Sequence, residues 1–100
     1  MIQVFYFSGC PHHDPTLALV REVAEELGLA ANIEAVEIRD VEQAARMEFL
    51  GSPTVKVSGV DIEPAARERR EYAIACRRYG RSGIPPRAMG REALAAGAAA

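Results

Sequence analysis

The sequence predicts one α/β domain whose mixed central sheet has about four strands flanked by helices. Three observations carry that prediction. An apolar, β-rich run opens the chain, an amphipathic helical stretch follows it, and a short hairpin pattern sits near the middle. Two strands joined through a helix make a βαβ unit, so the first two strands should be parallel with a right-handed crossover. The hairpin then adds antiparallel strands on the other side.

Ile2 to Phe7 is almost unbroken in apolar character, which suits a strand covered on both faces. From about Asp14 to Leu27, Leu17, Val20, Ala24 and Leu27 share one helical face. Val23 widens that stripe, and Arg21, Glu22, Glu25 and Glu26 face water. Asp14 as N-cap with Pro15 in the first helical position is the easiest start, and Gly28 is a natural stop. Asn32 to Ile38 alternates as a second strand. Asp40 then caps a helix carrying Val41, Ala44, Ala45 and Met47 toward Phe49 and Leu50, ended by Gly51. Thr54 to Val57 reads as a strand, Ser58-Gly59 as a turn, and Val60 to Ile62 as the returning strand.

Residues 65–79 are open to two readings. Their Ala, Arg and Glu content favours helix, with Tyr72, Ala75, Cys76 and Tyr79 on one face and Gly80 as the stop. As a strand they would run antiparallel to Thr54–Val57 and end near the loop after the first strand. The helix has the slightly better count. Pro86 starts a last helix bearing Met89, Ala93 and Leu94. The domain spans residues 1–95, and residues 96–100 form an Ala-rich tail expected to fray.

Chemistry concentrates in Ser8-Gly9-Cys10-Pro11-His12-His13, where the first strand stops abruptly at a cysteine. A thiol between a strand's C-terminal end and a helix start sits where α/β folds expose reaction sites. Neighbouring imidazolium or free backbone N–H groups stabilise the thiolate, which is the competent nucleophile. His12 and His13 are both within local reach, and His13 could give a proton to a leaving thiolate. Against this stand plainer readings: a cysteine after a strand that only packs, and two solvated histidines.

Two features together resemble the thioredoxin superfamily in its minimal, glutaredoxin-like form: Cys10-Pro11-His12-His13 after the first strand, and Ser52-Pro53-Thr54 opening the third. More narrowly, Gly51-Ser52-Pro53-Thr54, a later Cys76-Arg77-x-Tyr79 and Gly83-x-Pro85-Pro86 look like small bacterial thioredoxin-like proteins, some associated with mercury resistance. The resemblance implies a cis Pro53 beside Cys10, with Pro11, His12, Ser52, Pro53 and Thr54 lining the substrate groove. It also implies that Ser52 offers backbone groups to an extended thiol substrate. The superfamily's redox motif is Cys-x-x-Cys, and here His13 stands at the second cysteine's place. Three outcomes follow: Cys10 works alone through mixed disulfides, Cys76 serves as a distant resolving thiol, or the domain only binds.

Beside the non-catalytic binding module, a metal site is a further alternative, with Cys10 and His12/His13 or Cys76 as ligands for a thiophilic ion such as mercury, copper or zinc. Adjacent histidines diverge, however, and two-coordinate binding through Cys10 and Cys76 needs Cα atoms within about 7 Å. Arg67, Arg69, Arg70, Arg77, Arg78 and Arg81 form a basic cluster that reads as a solvated face interspersed with Glu68 and Glu71.

Composition bounds the rest. A 100-residue chain with 49% hydrophobic and 26% charged residues is an ordinary small globular domain. A net charge of −2, without aromatic-interleaved basic patches, argues against nucleic acid. No apolar run approaches the roughly 18 residues of a membrane span, and no secretory signal is visible. A cytoplasmic protein follows, and the resemblance implies that it acts on a protein or small-molecule thiol without a cofactor. Two cysteines suit a reducing compartment.

Overall fold

The computed structural model describes residues 1–28, 33–79 and 82–99. Its sheet has four strands in the order β2-β1-β3-β4: β1 (Ile2–Tyr6), β2 (Ile33–Glu37), β3 (Thr54–Val57) and β4 (Val60–Asp61). β1 pairs parallel with β2 and antiparallel with β3, and β3 pairs antiparallel with β4. The mixed sheet, its parallel first pair and the added hairpin are those predicted. The expected start of β2 at Asn32 lies outside the described residues.

The central place of β1 explains its continuous apolar sequence. Ile2 and Val4 point to one face, where they join Val20, Val23 and Ala24 of helix α1 (His13–Glu26), Val55, Val57, Ile62, and Leu94 of helix α3 (Arg87–Ala99). Phe5 points to the other face and packs with Ile38, Phe49 and Ala44 of helix α2 (Val41–Arg46). Each fully buried side chain of this kind stabilises the fold by about 1.5–3 kcal/mol. The α1–α3 contact also carries exposed ion pairs from Arg87 and Arg91 to Glu26.

Several local expectations are corrected. α1 begins at His13, with His12 rather than Asp14 as N-cap. Pro15 is therefore its third residue, and its missing N–H costs no hydrogen bond because first-turn amides have no partner inside the helix. Asp40 does cap α2, accepting a bond from the Gln43 amide at 2.7 Å. That helix ends at Arg46 and does not reach Leu50. Glu48 turns left-handed (φ 53°), and the Phe49 amide bonds back to the Ala44 carbonyl, dropping Phe49 into the core. α3 runs from Arg87 to Ala99.

The largest correction falls on residues 65–79, which form neither a helix nor an antiparallel strand. One 3-10 turn (Pro64–Ala66) is followed by irregular chain and a single parallel bridge between Cys76 and Ser52. Tertiary capture of Arg77 and Tyr79 overrides the helical propensity of the Ala, Arg and Glu residues. The predicted stop at Gly80 and the basic residue Arg81 lie outside the described residues. No helix among the described residues is long and apolar enough to cross a membrane.

Candidate functional site

The site is assembled at one end of the sheet. β1 delivers Tyr6 there, and the chain turns through Phe7 to Cys10, whose amide donates to the Phe7 carbonyl at 3.2 Å. β3 runs antiparallel with Thr54 opposite Phe5. Ser52 and Pro53, which precede Thr54, therefore lie at the same end as the Cys10 loop. The Ser52–Pro53 peptide is cis, as the resemblance implied.

Cys10 is half-buried and Cys76 exposed, and both are free thiols. The Cys10 carbonyl accepts from the His13 amide at 3.4 Å, so the cysteine lies just before the first turn of α1. The loop ahead of the helix thus ends at His12, one residue earlier than predicted.

The two histidines diverge. The His13 ring stacks on Tyr6 with centroids 3.7 Å apart and planes 12° from parallel. Its Nδ1 is buried without a hydrogen-bond partner. That burial lowers its pKa below the ordinary histidine value, and the neighbouring Asp14 charge only partly opposes the shift. His13 is therefore a neutral imidazole at neutral pH. The His12 ring lies instead against Gly83, where a Cβ would sit 2.5–2.8 Å from three ring atoms. A side chain at residue 83 would displace His12, which explains the glycine.

Ser52, Pro53 and Thr54, predicted to line the groove, are fully buried. The backbone of Ser52 is also taken up within the chain. Its amide donates to the Ala75 carbonyl at 2.8 Å, and its carbonyl accepts from the Arg77 amide at 2.9 Å. The expectation that Ser52 holds out free backbone groups is corrected: Cys76 and its neighbours already pair with them. Gly51 permits the approach. Its φ is +120°, and a Cβ there would meet the Ala75 carbonyl oxygen at 3.0 Å and the Arg77 Cβ at 3.2 Å.

Sequence reasoning missed what holds this segment in place. Arg77, read as one of a solvated cluster, is 5% exposed. Its guanidinium donates to both Asp61 carboxylate oxygens at 2.8 Å, to Glu63 at 2.9 Å and to the Thr54 hydroxyl at 3.2 Å. Burial opposes its charge, but the bonds to Asp61 and the acidic surroundings outweigh burial and raise its pKa. Tyr79 donates its hydroxyl proton to the Pro53 carbonyl at 2.6 Å and lies under the Arg77 guanidinium, 4.4 Å from ring centroid to Cζ. Burial raises the Tyr79 pKa, so the phenol stays protonated. A signal did exist. Lys56 and Asp61 are charges inside otherwise apolar strands, and buried charges need partners.

Cys76 lines a shallow hollow of about 310 Å³ with Leu50, Arg69, Arg77 and Arg78 among its walls. Among the described residues no three His, Cys, Asp or Glu side chains converge to hold a metal ion. No protein family, curated protein or solved structure matches this chain.

Proposed function

We propose that this chain is a thiol–disulfide exchange protein of the thioredoxin-like, glutaredoxin-like minimal form, in which Cys10 is the nucleophile and Cys76 the resolving thiol. The observation that carries this reading is the bridge between Cys76 and Ser52, at the sheet end where β1 gives way to Cys10. It supports a distant second thiol in place of the missing cysteine of the local motif, because Cys76 belongs to the segment paired with Ser52. The order of strands and helices supports the fold part of the reading.

The chemistry is thiol–disulfide exchange. The Cys10 thiolate attacks one sulfur of a disulfide RS–SR, forming a mixed disulfide and releasing RS⁻, which takes a proton from solvent or an acid. The Cys76 thiolate then attacks the Cys10 sulfur, releasing the second RS⁻ and leaving a Cys10–Cys76 disulfide. Two electrons pass from the protein to the substrate, and two equivalents of a low-molecular-weight thiol restore the dithiol. His13, stacked on Tyr6 and held neutral by burial, is not assigned a proton-transfer step.

Mass spectrometry of the reduced protein treated with bis(2-hydroxyethyl) disulfide tests the reading. The expected product is an internal Cys10–Cys76 disulfide, two hydrogens lighter. The Cys76→Ser variant should instead accumulate one mixed disulfide at Cys10. A Cys10 that stays reduced while Cys76 is modified would overturn the proposal in favour of a non-catalytic binding domain. Stoichiometric uptake of a thiophilic ion that abolishes alkylation of both cysteines, without any exchange, would favour the metal reading.

A further inference from the structure

β3 runs away from the Cys10 end, and its third residue, Lys56, is only 8% exposed. A buried ammonium needs a counter-charge or several hydrogen bonds to offset its lost hydration. Lys56 has little of either. Its Nζ donates to the Met47 carbonyl at 2.9 Å and lies 5.3 Å from the centroid of the Phe5 ring. No ion pair among the described residues includes it. Asp61, its partner across the hairpin, is turned to Arg77, which occupies both carboxylate oxygens. Burial lowers the Lys56 pKa, and the charges of Glu48 and Asp61 only partly oppose the shift.

Lys56 opens instead onto a cavity of about 270 Å³ between the β3–β4 hairpin and residues 66–72. Leu50, Val60 and Tyr72 give it apolar walls, and the exposed Arg67 and Arg69 add two guanidiniums. Neither the Cys10 loop nor Ser52–Pro53 lines it. Arg67 is held by its Nε–H bond to the Asp61 carbonyl at 2.9 Å. We propose that this cavity binds a small organic monocarboxylate, whose charge supplies the counterion that Lys56 lacks. The lining selects that class. Three cations stand against the two carboxylates of Glu48 and Asp61, a surplus of one positive charge that a single carboxylate balances. A phosphate dianion would exceed that surplus and face Glu48. The apolar walls suit a hydrocarbon or ring body, and the volume lies near the small end of ligand cavities, which span roughly 300–1,000 Å³. The Lys56 protons not given to Met47 and the forks of the arginines supply charge-assisted hydrogen bonds.

Benzoate titrated into the intact protein, followed through amide chemical shifts, provides the test. The Lys56, Gly59 and Val60 amides should shift saturably, with a Kd of about 1 mM or tighter. Benzamide has the same shape without the charge. It and inorganic phosphate should each bind about tenfold more weakly or worse, the factor carried by a hydrogen bond to a charged group. Lys56→Met removes the cation and keeps the apolar stem. It should weaken benzoate by the same factor while thermal stability stays level or rises, because a buried unpaired charge is gone. Arg69→Gln changes an exposed side chain, so the fold stays intact, and benzoate should weaken about twofold to fivefold while benzamide is unaffected. Shifts that stay linear well past that concentration, benzamide binding as tightly as benzoate, or undiminished binding by either variant would overturn the proposal. Tighter binding of phosphate than of benzoate would overturn the assignment of a carboxylate.

Discussion

The two faces of the sheet are held together by different physics. Under α1 and α3 lies a continuous apolar layer of Ile2, Val4, Val20, Val23, Val55 and Leu94. The opposite face is split. Phe5, Ile38 and Phe49 form an apolar half under α2, while Thr54, Asp61, Glu63 and Arg77 form an ionic half under residues 75–79. The apolar layer is non-directional and tolerates similar shapes, whereas the ionic half fixes one arrangement because each charge needs its partner. The candidate site grows from the ionic half. Position there depends on charges, and stability elsewhere depends on packing.

The sharpest way to break this contrast is Arg77→Met. It leaves Asp61 and Glu63 without their cation, and removing one partner of a buried ion pair costs about 3–5 kcal/mol. Urea unfolding measures the loss. Arg77→Met combined with Asp61→Asn should recover part of it, because the buried uncompensated charge is reduced. A loss of less than about 1 kcal/mol for the single change would mean that the cluster is solvated after all.

On the apolar face, Leu94→Ala should cost about 2–5 kcal/mol, since Leu94 is 2% exposed. The two substitutions then differ in their side effects. Leu94→Ala should leave the alkylation rate of Cys76 unchanged in the folded protein, and Arg77→Met should change it. Gly51→Ala is the intermediate case, with an expected loss of about 1–3 kcal/mol from strain at positive φ and crowding against Ala75. Loss of Ser52 amide protection in this variant would tie that cost to the paired segment.

The smallest effect is one of pH. Burial holds the His13 pKa below its ordinary value, so the folded protein takes up a proton there less readily than the unfolded chain. Stability contributed by the neutral ring is complete above about pH 6.5 and falls as pH drops through that value toward the lower folded pKa. His13→Gln should flatten the decline between about pH 6.5 and 5 in thermal melts, apart from the carboxylate contributions that set in lower down. An equally steep decline in the variant would assign the titration to another group.

The same contrast explains what the sequence made legible. The apolar face announces itself by period: alternation in the strands, and Val20, Val23, Ala24 and Leu27 on one side of a helix. Strand order and the Asp40 cap follow from local rules that the structure obeys. The Cys10 loop is legible as a strand end, but its distant partners are not. Arg77 sits among six arginines with no period to single it out, and its chain position says nothing of Asp61, sixteen residues earlier. The helical reading of 65–79 failed for that reason. Propensity is a sum of small local preferences, and one buried ionic contact outweighs it. Cys76-Arg77-x-Tyr79 was visible as a pattern, while its three tasks of pairing, anchoring and bonding Pro53 required the folded chain.

The exposed stretch holding Arg67, Arg69 and Arg70 connects two parts that grip each other at several points away from it. One part carries the sheet and the first cysteine; the other carries the second cysteine and the C-terminal helix. Trypsin cutting in this stretch would sever a covalent link without removing the Ser52 pairing, the Arg77 cluster or the packing of α3 on α1. The nicked product should therefore migrate as one particle on a sizing column. On the proposed exchange reading, oxidation should join its two fragments through sulfur, turning a proteolytic accident into a readout of whether the cysteines meet.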